Sequence, residues 1–202
     1  MDPVLDFFVD NPDLINTLKA EFYNNPDLVL QNPSKSLYDR LIGNYRHNDT
    51  PTGPHNEFWE QHVDLYNYLD SVTYPRDPNY VINCTWMRYY TKGCFSAFHQ
   101  DQHLLLGHVV NQTTNIILID RSDDLVGGVT VIAGDSFEFD RDDPNKPGQL
   151  RERLITKFMD KPGDAVAWNE KVVHGISRIE RGSRLVFMVS KVPKSLYTSE
   201  DN

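Results

Sequence analysis

Long hydrophobic runs are missing from this sequence of 202 residues. No apolar stretch approaches the ~20 consecutive residues that a membrane-spanning helix needs, so the sequence does not predict a membrane protein. The first residues, MDPVLDFFVDNPDL, are acidic and lack the basic segment with which a secretory signal peptide begins. We therefore expect a cytoplasmic protein.

Cysteine is also scarce, because the whole chain contains only Cys84 and Cys94. Two cysteines cannot build a disulfide framework, and free thiols are typical of proteins in a reducing compartment. Neither cysteine belongs to a CxxC pair, which argues against a zinc site with thiolate ligands.

Positive charge is in deficit, with 20 Lys and Arg residues against 29 Asp and Glu residues and a formal charge of −9. This sign disfavours a protein that binds along the phosphate backbone of a nucleic acid. It is compatible with a basic peptide, a neutral molecule, or a small anion held by a few placed cations. We therefore expect a peptide, a protein or a small molecule as the partner.

The length and composition predict one soluble domain over residues 1–202. Its N-terminal part, about residues 1–79, reads as helical. Asn11 is a candidate N-cap for a helix over residues 11–23. Residues 55–69 place apolar side chains at helical spacing, which is typical of a helix packed against a sheet.

Strand-like segments follow from about residue 80 to residue 192. They are short, rich in β-branched and aromatic residues, and bounded by Gly, Asp or Pro. The segments are YVINCTWMRYY, TTNIILID, GGVTVIAG, LITKFMD, DAVAW and RLVFMVSK. Because no helical segment separates them, they predict an antiparallel sandwich or barrel with the N-terminal helices packed on one sheet.

Two polar stretches have the composition of loops. Residues 43–58 are rich in Pro and Gly, and residues 140–153 are polar and turn-rich between two strand-like pieces. We interpret the second as the tip of a long hairpin. Residues 43–58 and 135–160 are the candidates for the walls of a substrate pocket.

The segment AFHQDQH, residues 97–103, is a candidate half of a metal site. Alternate side chains of an extended chain point the same way, so His99, Asp101 and His103 would share one face. Any two of the three could bind one cation. The segment itself does not decide which two.

A second candidate group lies near the C-terminus. His174 follows the strand-like PGDAVAWNE, and Arg184 begins the strand RLVFMVS ten residues later. That strand is apolar on both faces, so it should be buried on both sides. A buried arginine is costly without an anion, and the sequence offers no obvious local partner. A bound carboxylate is therefore a serious candidate.

The stretch between these two residues contains a predicted turn. If RGS, residues 181–183, forms a three-residue hairpin loop with Gly182 in the left-handed region, Glu180 faces Arg184. His174 would then lie on the same sheet face as Arg184.

The order of these elements resembles the Fe(II)- and 2-oxoglutarate-dependent oxygenases, specifically their prolyl-4-hydroxylase-like branch. The resemblance covers about residues 85–190. It rests on RYYTKGCFSAFHQD, on DDLVGGVTV, on KPGDAVAW before His174, and on Arg184 after it. The spacing of Tyr90 and Gly93 to the HxD pair favours His99 over His103 as the first ligand.

The resemblance implies a double-stranded β-helix, or jelly roll, and a set of site residues. His99, Asp101 and His174 would bind Fe(II), leaving positions for the co-substrate 2-oxoglutarate and for O₂. Arg184 would bind the far carboxylate of 2-oxoglutarate, Tyr90 would lend a hydroxyl near it, and ascorbate would serve as a reductant. The family's tyrosine on the strand before GG is replaced here by an aliphatic residue, with Leu118 nearest its place.

The implied activity is hydroxylation of a C–H bond with release of succinate and CO₂. The branch suggests a peptidyl prolyl or another protein side chain as the substrate, and a free amino acid or another small metabolite is the alternative. A protein of another class, a non-catalytic metal-binding β-helix acting as a sensor or structural module, would need only part of this set.

Overall fold

The computed structural model describes residues 4–24, 41–46, 57–101, 104–105, 108–109, 112–134, 137–138, 149–150 and 155–196. Its helices are α1 (Pro12–Asn24), α2 (Glu57–Gln61) and α3 (Val63–Val72), and a 3₁₀ turn spans Lys194–Leu196. Within these residues, no helix is both long enough and apolar enough to cross a membrane.

Sixteen strands lie in the described residues. In chain order they are β1 (Val4–Phe8), β2 (Leu41–Arg46), β3 (Tyr80–Thr91), β4 (Ser96–His99), β5 (Leu104–Leu105), β6 (His108–Val109), β7 (Thr113–Arg121), β8 (Val126–Gly127), β9 (Thr130–Gly134), β10 (Phe137–Glu138), β11 (Gln149–Leu150), β12 (Ile155–Lys157), β13 (Asp164–Asn169), β14 (Val173–Ile176), β15 (Ile179–Arg181) and β16 (Ser183–Pro193).

The main sheet has six antiparallel strands in the order β1-β13-β7-β16-β3-β2. Strand β16 lies inside this sheet and pairs with β3 on one side and β7 on the other. Its residues from Arg184 to Val192 are all buried. The prediction that this strand is buried on both faces is confirmed.

A second sheet has four antiparallel strands in the order β12-β9-β14-β4. One apolar cluster joins the two sheets and includes Ile116, Val186 and Met188 of the main sheet with Ile132 and Ile176 of the second sheet. The face of the main sheet that contributes to this cluster is called the inner face below. The predicted double-stranded β-helix, or jelly roll, is confirmed.

The helices cover the opposite face of the main sheet. Leu14 and Leu18 of α1 and Trp59 of α2 pack in one buried cluster with Ile117 and Phe187 of the sheet. Helix α1 begins where the sequence predicts, because the backbone N–H of Leu14 donates to Asn11 Oδ1 at 3.0 Å. The predicted packing of helices on one sheet is therefore confirmed.

The N-terminal part also supplies strands that the sequence did not predict. Strand β1 pairs with β13, and β2 pairs with β3. The predicted loops are wrong at their ends, because residues 43–46 belong to β2, residues 57–58 to α2 and residues 149–150 to β11. The rest of the two loops, residues 47–56, 140–148 and 151–153, lies outside the described residues. Strands β10 and β11 on either side of the second loop pair antiparallel, as expected of a hairpin.

The predicted hairpin at residues 181–183 is wrong, although Gly182 does have a positive φ of 78°. Strand β15 pairs with β8 rather than with β16. The turn at Gly182 packs instead on the segment that follows β7, where the backbone N–H of Ser183 donates to Ser122 Oγ at 2.8 Å. His174 and Arg184 consequently lie in different sheets, not on one sheet face.

Asn115 provides a test of how the helical layer is attached to the main sheet. Its Oδ1 accepts from the backbone N–H of Tyr74 at 2.7 Å, and its Nδ2 donates to the backbone oxygen of Tyr74 at 2.8 Å. We expect Asn115→Ala to lower the free energy of unfolding by about 1–3 kcal/mol, because buried groups lose their partners. Urea unfolding checks this, and Asn79→Ala at an exposed position should change the stability little. Equal stability of the two variants would contradict the prediction.

Candidate metal centre

The pairing of β14 with β4 brings the two histidines together. His174 lies directly opposite His99 in the antiparallel register. Side chains of directly opposite residues project to the same face of a sheet. Their ring centroids are 4.4 Å apart. Two residues that are distant in the sequence therefore form one side of a compact site.

Asp101 completes the group two residues after His99, beyond the end of β4. Its Oδ1 lies 3.5 Å from His99 Nε2, and its Oδ2 lies 3.5 Å from His174 Nε2. The three side chains offer ligand atoms that all lie within 4.8 Å of one another. The structure thus brings together the three residues that the resemblance implies as metal ligands.

The other histidines give no competing site in the part of the chain that the structure describes. His103 lies outside the described residues, as do His47 and His55, and for His108 only the backbone is described. His62 sits between α2 and α3, where its ring packs on Phe58 with centroids 4.8 Å apart. That contact is with α2 and lies away from the candidate metal ligands.

Two neighbouring groups orient the site. His174 Nδ1 lies 3.1 Å from the backbone oxygen of Val172, which leaves Nε2 facing Asp101. The indole Nε1 of Trp168 donates to Asp101 Oδ2 at 3.1 Å, and its ring lies 4.3 Å from the His174 ring. Hydrogen bonds of this kind orient metal ligands in proteins.

Trp168 is the residue of this site to which the sequence reasoning gave no role. It ends the strand-like segment DAVAW. Its side chain is almost fully buried, at 1% exposure. The available signal was its position at the end of the apolar strand before His174, with an indole N–H that requires a partner when buried.

The surroundings favour a charged carboxylate and a neutral imidazole. Burial alone would raise the pKa of Asp101, but the hydrogen bond from His99 and the charge of His174 outweigh it, so the pKa lies well below its usual range. Burial is the main cause that lowers the pKa of His174, and the charge of Asp101 opposes it. Ionised carboxylate and neutral imidazole are the forms that bind metals.

The donor set fits a divalent transition metal. Two imidazole nitrogens and one carboxylate on one side of an ion are the ligands of non-heme Fe(II) sites with open positions. His99 and Asp101 are partly exposed, whereas His174 is buried. A metal held here would therefore be bound at the edge of the space between the sheets.

Arg184 lies on the inner face of the main sheet and is 3% exposed. Its Nη1 donates to the backbone oxygen of Gly128. Its Nε and Nη2 are buried and have no hydrogen-bond partner among the described residues. Burial lowers the pKa of Arg184 to about 10, so the guanidinium stays charged at neutral pH.

A cavity of about 240 Å³ opens beside Arg184, lined in part by Leu118, Leu125 and Met159. Arg121 also lines it and pairs with Asp160, with Nη1 and Oδ1 3.0 Å apart. None of the three metal-ligand candidates is among the lining residues. The cavity therefore marks the arginine end of the space between the sheets.

Two glycines before β9 pack closely on the segment around Ile179, and Gly128 also lies beside Arg184. Gly128 has a φ of +66°, and a Cβ there would lie 2.8 Å from Cγ1 of Ile179 and 3.4 Å from Cδ of Arg184. A larger residue would have to displace one of these side chains. Gly128 of DDLVGGVTV is thus explained by close packing against Ile179, and Gly127 by the backbone oxygen of Arg178, with which a Cβ would collide.

Tyr90 is the register partner of Arg184 on β3 and is 1% exposed. The Arg184 guanidinium carbon lies 5.9 Å from the centre of its ring. The structure therefore places Tyr90 beside the predicted carboxylate-binding arginine. Its predicted contact with a co-substrate stays a prediction.

Comparison with known proteins gives matches among solved structures alone. No family model matches the chain, and no curated protein matches it. AviO1 from Streptomyces viridochromogenes Tue57 is 16% identical, with a TM-score of 0.61 over 96% of this chain and 91% of that chain. A prolyl-4-hydroxylase from Pseudomonas putida is 13% identical, with a TM-score of 0.59 over 95% and 93%.

A third match is the viral collagen prolyl hydroxylase of Paramecium bursaria Chlorella virus 1, solved as its 2-oxoglutarate complex. It is 9% identical, with a TM-score of 0.56 over 95% of this chain and 96% of that chain. The chain has the prolyl hydroxylase fold. The resemblance that the sequence motifs indicate is thus confirmed for the fold, which nearly the whole chain shares with these proteins.

The hydrogen bond from Trp168 to Asp101 should increase the affinity of the site for a metal. Trp168→Phe keeps an aromatic ring beside His174 but removes the donor to Asp101. We expect Co(II) to bind about 10- to 100-fold more weakly, as is typical when a group that orients a metal ligand is lost. Isothermal titration calorimetry with Co(II) measures this.

Trp59→Phe is the matched control, because it also removes a buried indole hydrogen bond, the one to Thr85 Oγ1 at 3.1 Å. That bond lies on the helix side of the main sheet. Both variants should lose stability, but Trp168→Phe alone should lose Co(II) affinity. Equal Co(II) affinities in the two variants would show that the Trp168 contact is structural only.

Proposed function

We propose that this protein is an Fe(II)- and 2-oxoglutarate-dependent dioxygenase that hydroxylates a C–H bond, with release of succinate and CO₂. The observation that carries the proposal is the meeting of His99, Asp101 and His174 within 4.8 Å. This group lies between the same two sheets that enclose Arg184. A fold shared with prolyl hydroxylases supports it.

The three side chains would hold Fe(II) through two imidazole nitrogens and one carboxylate oxygen. Bound Fe(II) would supply the activation of O₂ together with the oxidative decarboxylation of 2-oxoglutarate, with ascorbate as a reductant. The protein's part is orientation. The Val172 carbonyl fixes the His174 ring, and Trp168 fixes one oxygen of Asp101.

Arg184 would bind the carboxylate of 2-oxoglutarate that lies far from the metal. Its two buried nitrogens without described partners are the groups that such a carboxylate would satisfy. Tyr90 lies beside it and would lend its hydroxyl. Leu118 lines the same cavity, so the family's tyrosine hydroxyl from that strand is replaced by an apolar wall.

Two substrate classes are compatible with this reaction. A peptidyl prolyl or other protein side chain is suggested by the names of two structural neighbours, both prolyl hydroxylases. A free amino acid or another small metabolite is the alternative. The net charge of −9 disfavours a nucleic acid in either case.

Anaerobic titration with Fe(II) and 2-oxoglutarate tests the proposal directly. The complete complex should show the weak metal-to-ligand charge-transfer band of an iron-bound 2-oxo acid. A protein that binds the metal but develops no band with the 2-oxo acid would be a non-catalytic metal-binding module. That result would refute the enzyme proposal.

Arg184→Met should raise the 2-oxoglutarate requirement while metal binding persists. Losing one partner of a desolvated charge pair costs about 3–5 kcal/mol, so the concentration needed should rise more than about a hundredfold. Arg76→Met, at an exposed arginine packed on Tyr74, is the control. An unchanged 2-oxoglutarate dependence in Arg184→Met would show that another residue binds the far carboxylate of the co-substrate.

The ligand assignment predicts which histidine variants lose turnover. His99→Ala and His174→Ala should each abolish 2-oxoglutarate turnover, because two protein ligands seldom hold Fe(II) in a productive geometry. Asp101→Ala should abolish hydroxylation with weak metal binding retained. His103→Ala should keep most of the turnover, measured as succinate release. An inactive His103→Ala together with an active His99→Ala would show that His103, and not His99, is the metal ligand.

A further inference from the structure

Strand β7 contains one extra residue where it pairs with the start of β16. Leu118 lies opposite Val186, whereas Arg121 lies opposite Arg184. The chain therefore advances by three residues on β7 and by only two on β16. Such a bulge re-aims the side chains that follow it. In a regular pairing, Asp120 would lie opposite Arg184.

The bulge turns Asp120 to the helix side of the main sheet. Its Oδ1 accepts from Lys19 Nζ at 2.8 Å, and its Oδ2 accepts from the hydroxyl of Tyr23 at 2.9 Å, both on α1. Arg121 is the next residue of the strand, and its side chain lines the cavity beside Arg184. A basic side chain therefore occupies the position beside Arg184 that regular pairing would give to an acid.

The residues that follow and precede the two arginines hold them side by side. The backbone N–H of Ser122 donates to the backbone oxygen of Ser183 at 2.9 Å, and the N–H of Ser183 donates to Ser122 Oγ at 2.8 Å. Like charges on directly opposite residues of a sheet are destabilising. Burial is the main cause that lowers the pKa of Arg184, and the charge of Arg121 adds to this shift. An anion between the two guanidinium groups would offset their repulsion.

The charged residues that line the cavity indicate the kind of ligand. They are Arg121, Arg184 and Asp160, and the other described lining residues are uncharged. Arg121 Nη1 lies 3.0 Å from Asp160 Oδ1, and the side chain of Asp160 is 75% exposed. The buried Nε and Nη2 of Arg184 have no hydrogen-bond partner among the described residues. Two positive charges against one negative charge leave room for one carboxylate, which guanidinium groups bind with well-directed hydrogen bonds.

We propose that Arg121 is a second residue that binds the far carboxylate of 2-oxoglutarate, which then lies between the guanidinium groups of Arg121 and Arg184. This inference rests on the proposed function and adds a residue to its co-substrate site. Leu118, before the bulge, lines the same cavity but has no hydrogen-bond donor in its side chain. Arg121, after the bulge, supplies the donor from β7. Asp160 competes with the co-substrate for Arg121.

The two probes are 2-oxoglutarate and 2-oxopentanoate, which has the same chain length but ends in a methyl group instead of the far carboxylate. Their affinities for the anaerobic protein loaded with Fe(II) are measured through the charge-transfer band. Wild type, Arg121→Met, Arg121→Lys and Asp160→Asn are compared. Arg181→Met and Asp124→Asn are the matched controls, because Arg181 and Asp124 form an exposed ion pair, with Nε and Oδ2 3.6 Å apart. Calorimetry with Co(II) measures metal binding in each variant.

We expect Arg121→Met to bind 2-oxoglutarate about 10- to 100-fold more weakly, as is typical when a charge-assisted hydrogen bond is lost. Its affinity for 2-oxopentanoate and for Co(II) should not change, and Arg121→Lys should restore part of the loss. Asp160→Asn should bind 2-oxoglutarate about two- to fivefold more tightly, because it removes a competing carboxylate from an exposed ion pair. The two controls should behave as wild type.

Two results would overturn the inference while the band is present in wild type. The first is that Arg121→Met keeps the full preference for 2-oxoglutarate over 2-oxopentanoate. The second is that Asp160→Asn weakens 2-oxoglutarate as Arg121→Met does, because Arg121 would then act only through its ion pair. If Arg121→Met does not fold, Asp160→Asn decides, and binding no tighter than in wild type refutes the inference. Absence of the band in wild type would refute the proposed function and the inference with it, so the two failures are distinguishable.

Discussion

The antiparallel pairing of β14 with β4 is the interaction on which the candidate site depends. It sets His174 opposite His99, and Asp101, two residues beyond β4, lies close to both rings. The pairing is irregular on both sides of His174, because the register shifts after it toward β4 and before it toward β9. Such irregularities re-aim a side chain and are common beside active sites.

The second constraint is the filling of the space between the sheets. Most of that space is closed by apolar side chains such as Ile116, Val186 and Met188. Among the described residues, Trp168 and the Gly128 carbonyl contact polar groups of this space at the metal centre and at Arg184. A buried polar group without such contacts would cost stability.

The sequence predicted the parts of this protein that local pattern determines. The burial of Arg184 followed from a strand that is apolar on both faces, and the start of α1 followed from Asn11. The candidate ligand residues were predicted from an HxD pair and a distant histidine through the family resemblance, and the structure brings them within 4.8 Å of one another. The signals for Arg184 and for the start of α1 each lie within a few residues of the position concerned.

The parts that failed depend on long-range pairing. Strand β1 is a short segment whose partner, β13, lies at the other end of the chain, so its own five residues did not identify it. The hairpin at Gly182 was wrong because the turn packs on Ser122, a contact that no local rule contains. Trp168 had no assigned role because its hydrogen bond depends on where Asp101 lies in space.

The division of the site between two sheets has a consequence for the length of the co-substrate. The histidines belong to the second sheet and Arg184 to the main sheet. The thickness of the core between the sheets therefore sets the distance from the histidines to Arg184. A close-packed core yields little when a side chain changes in volume, so this distance is fixed. With Arg184 and the metal centre binding opposite ends of a 2-oxo diacid as proposed, this fixed distance would favour one chain length of the co-substrate.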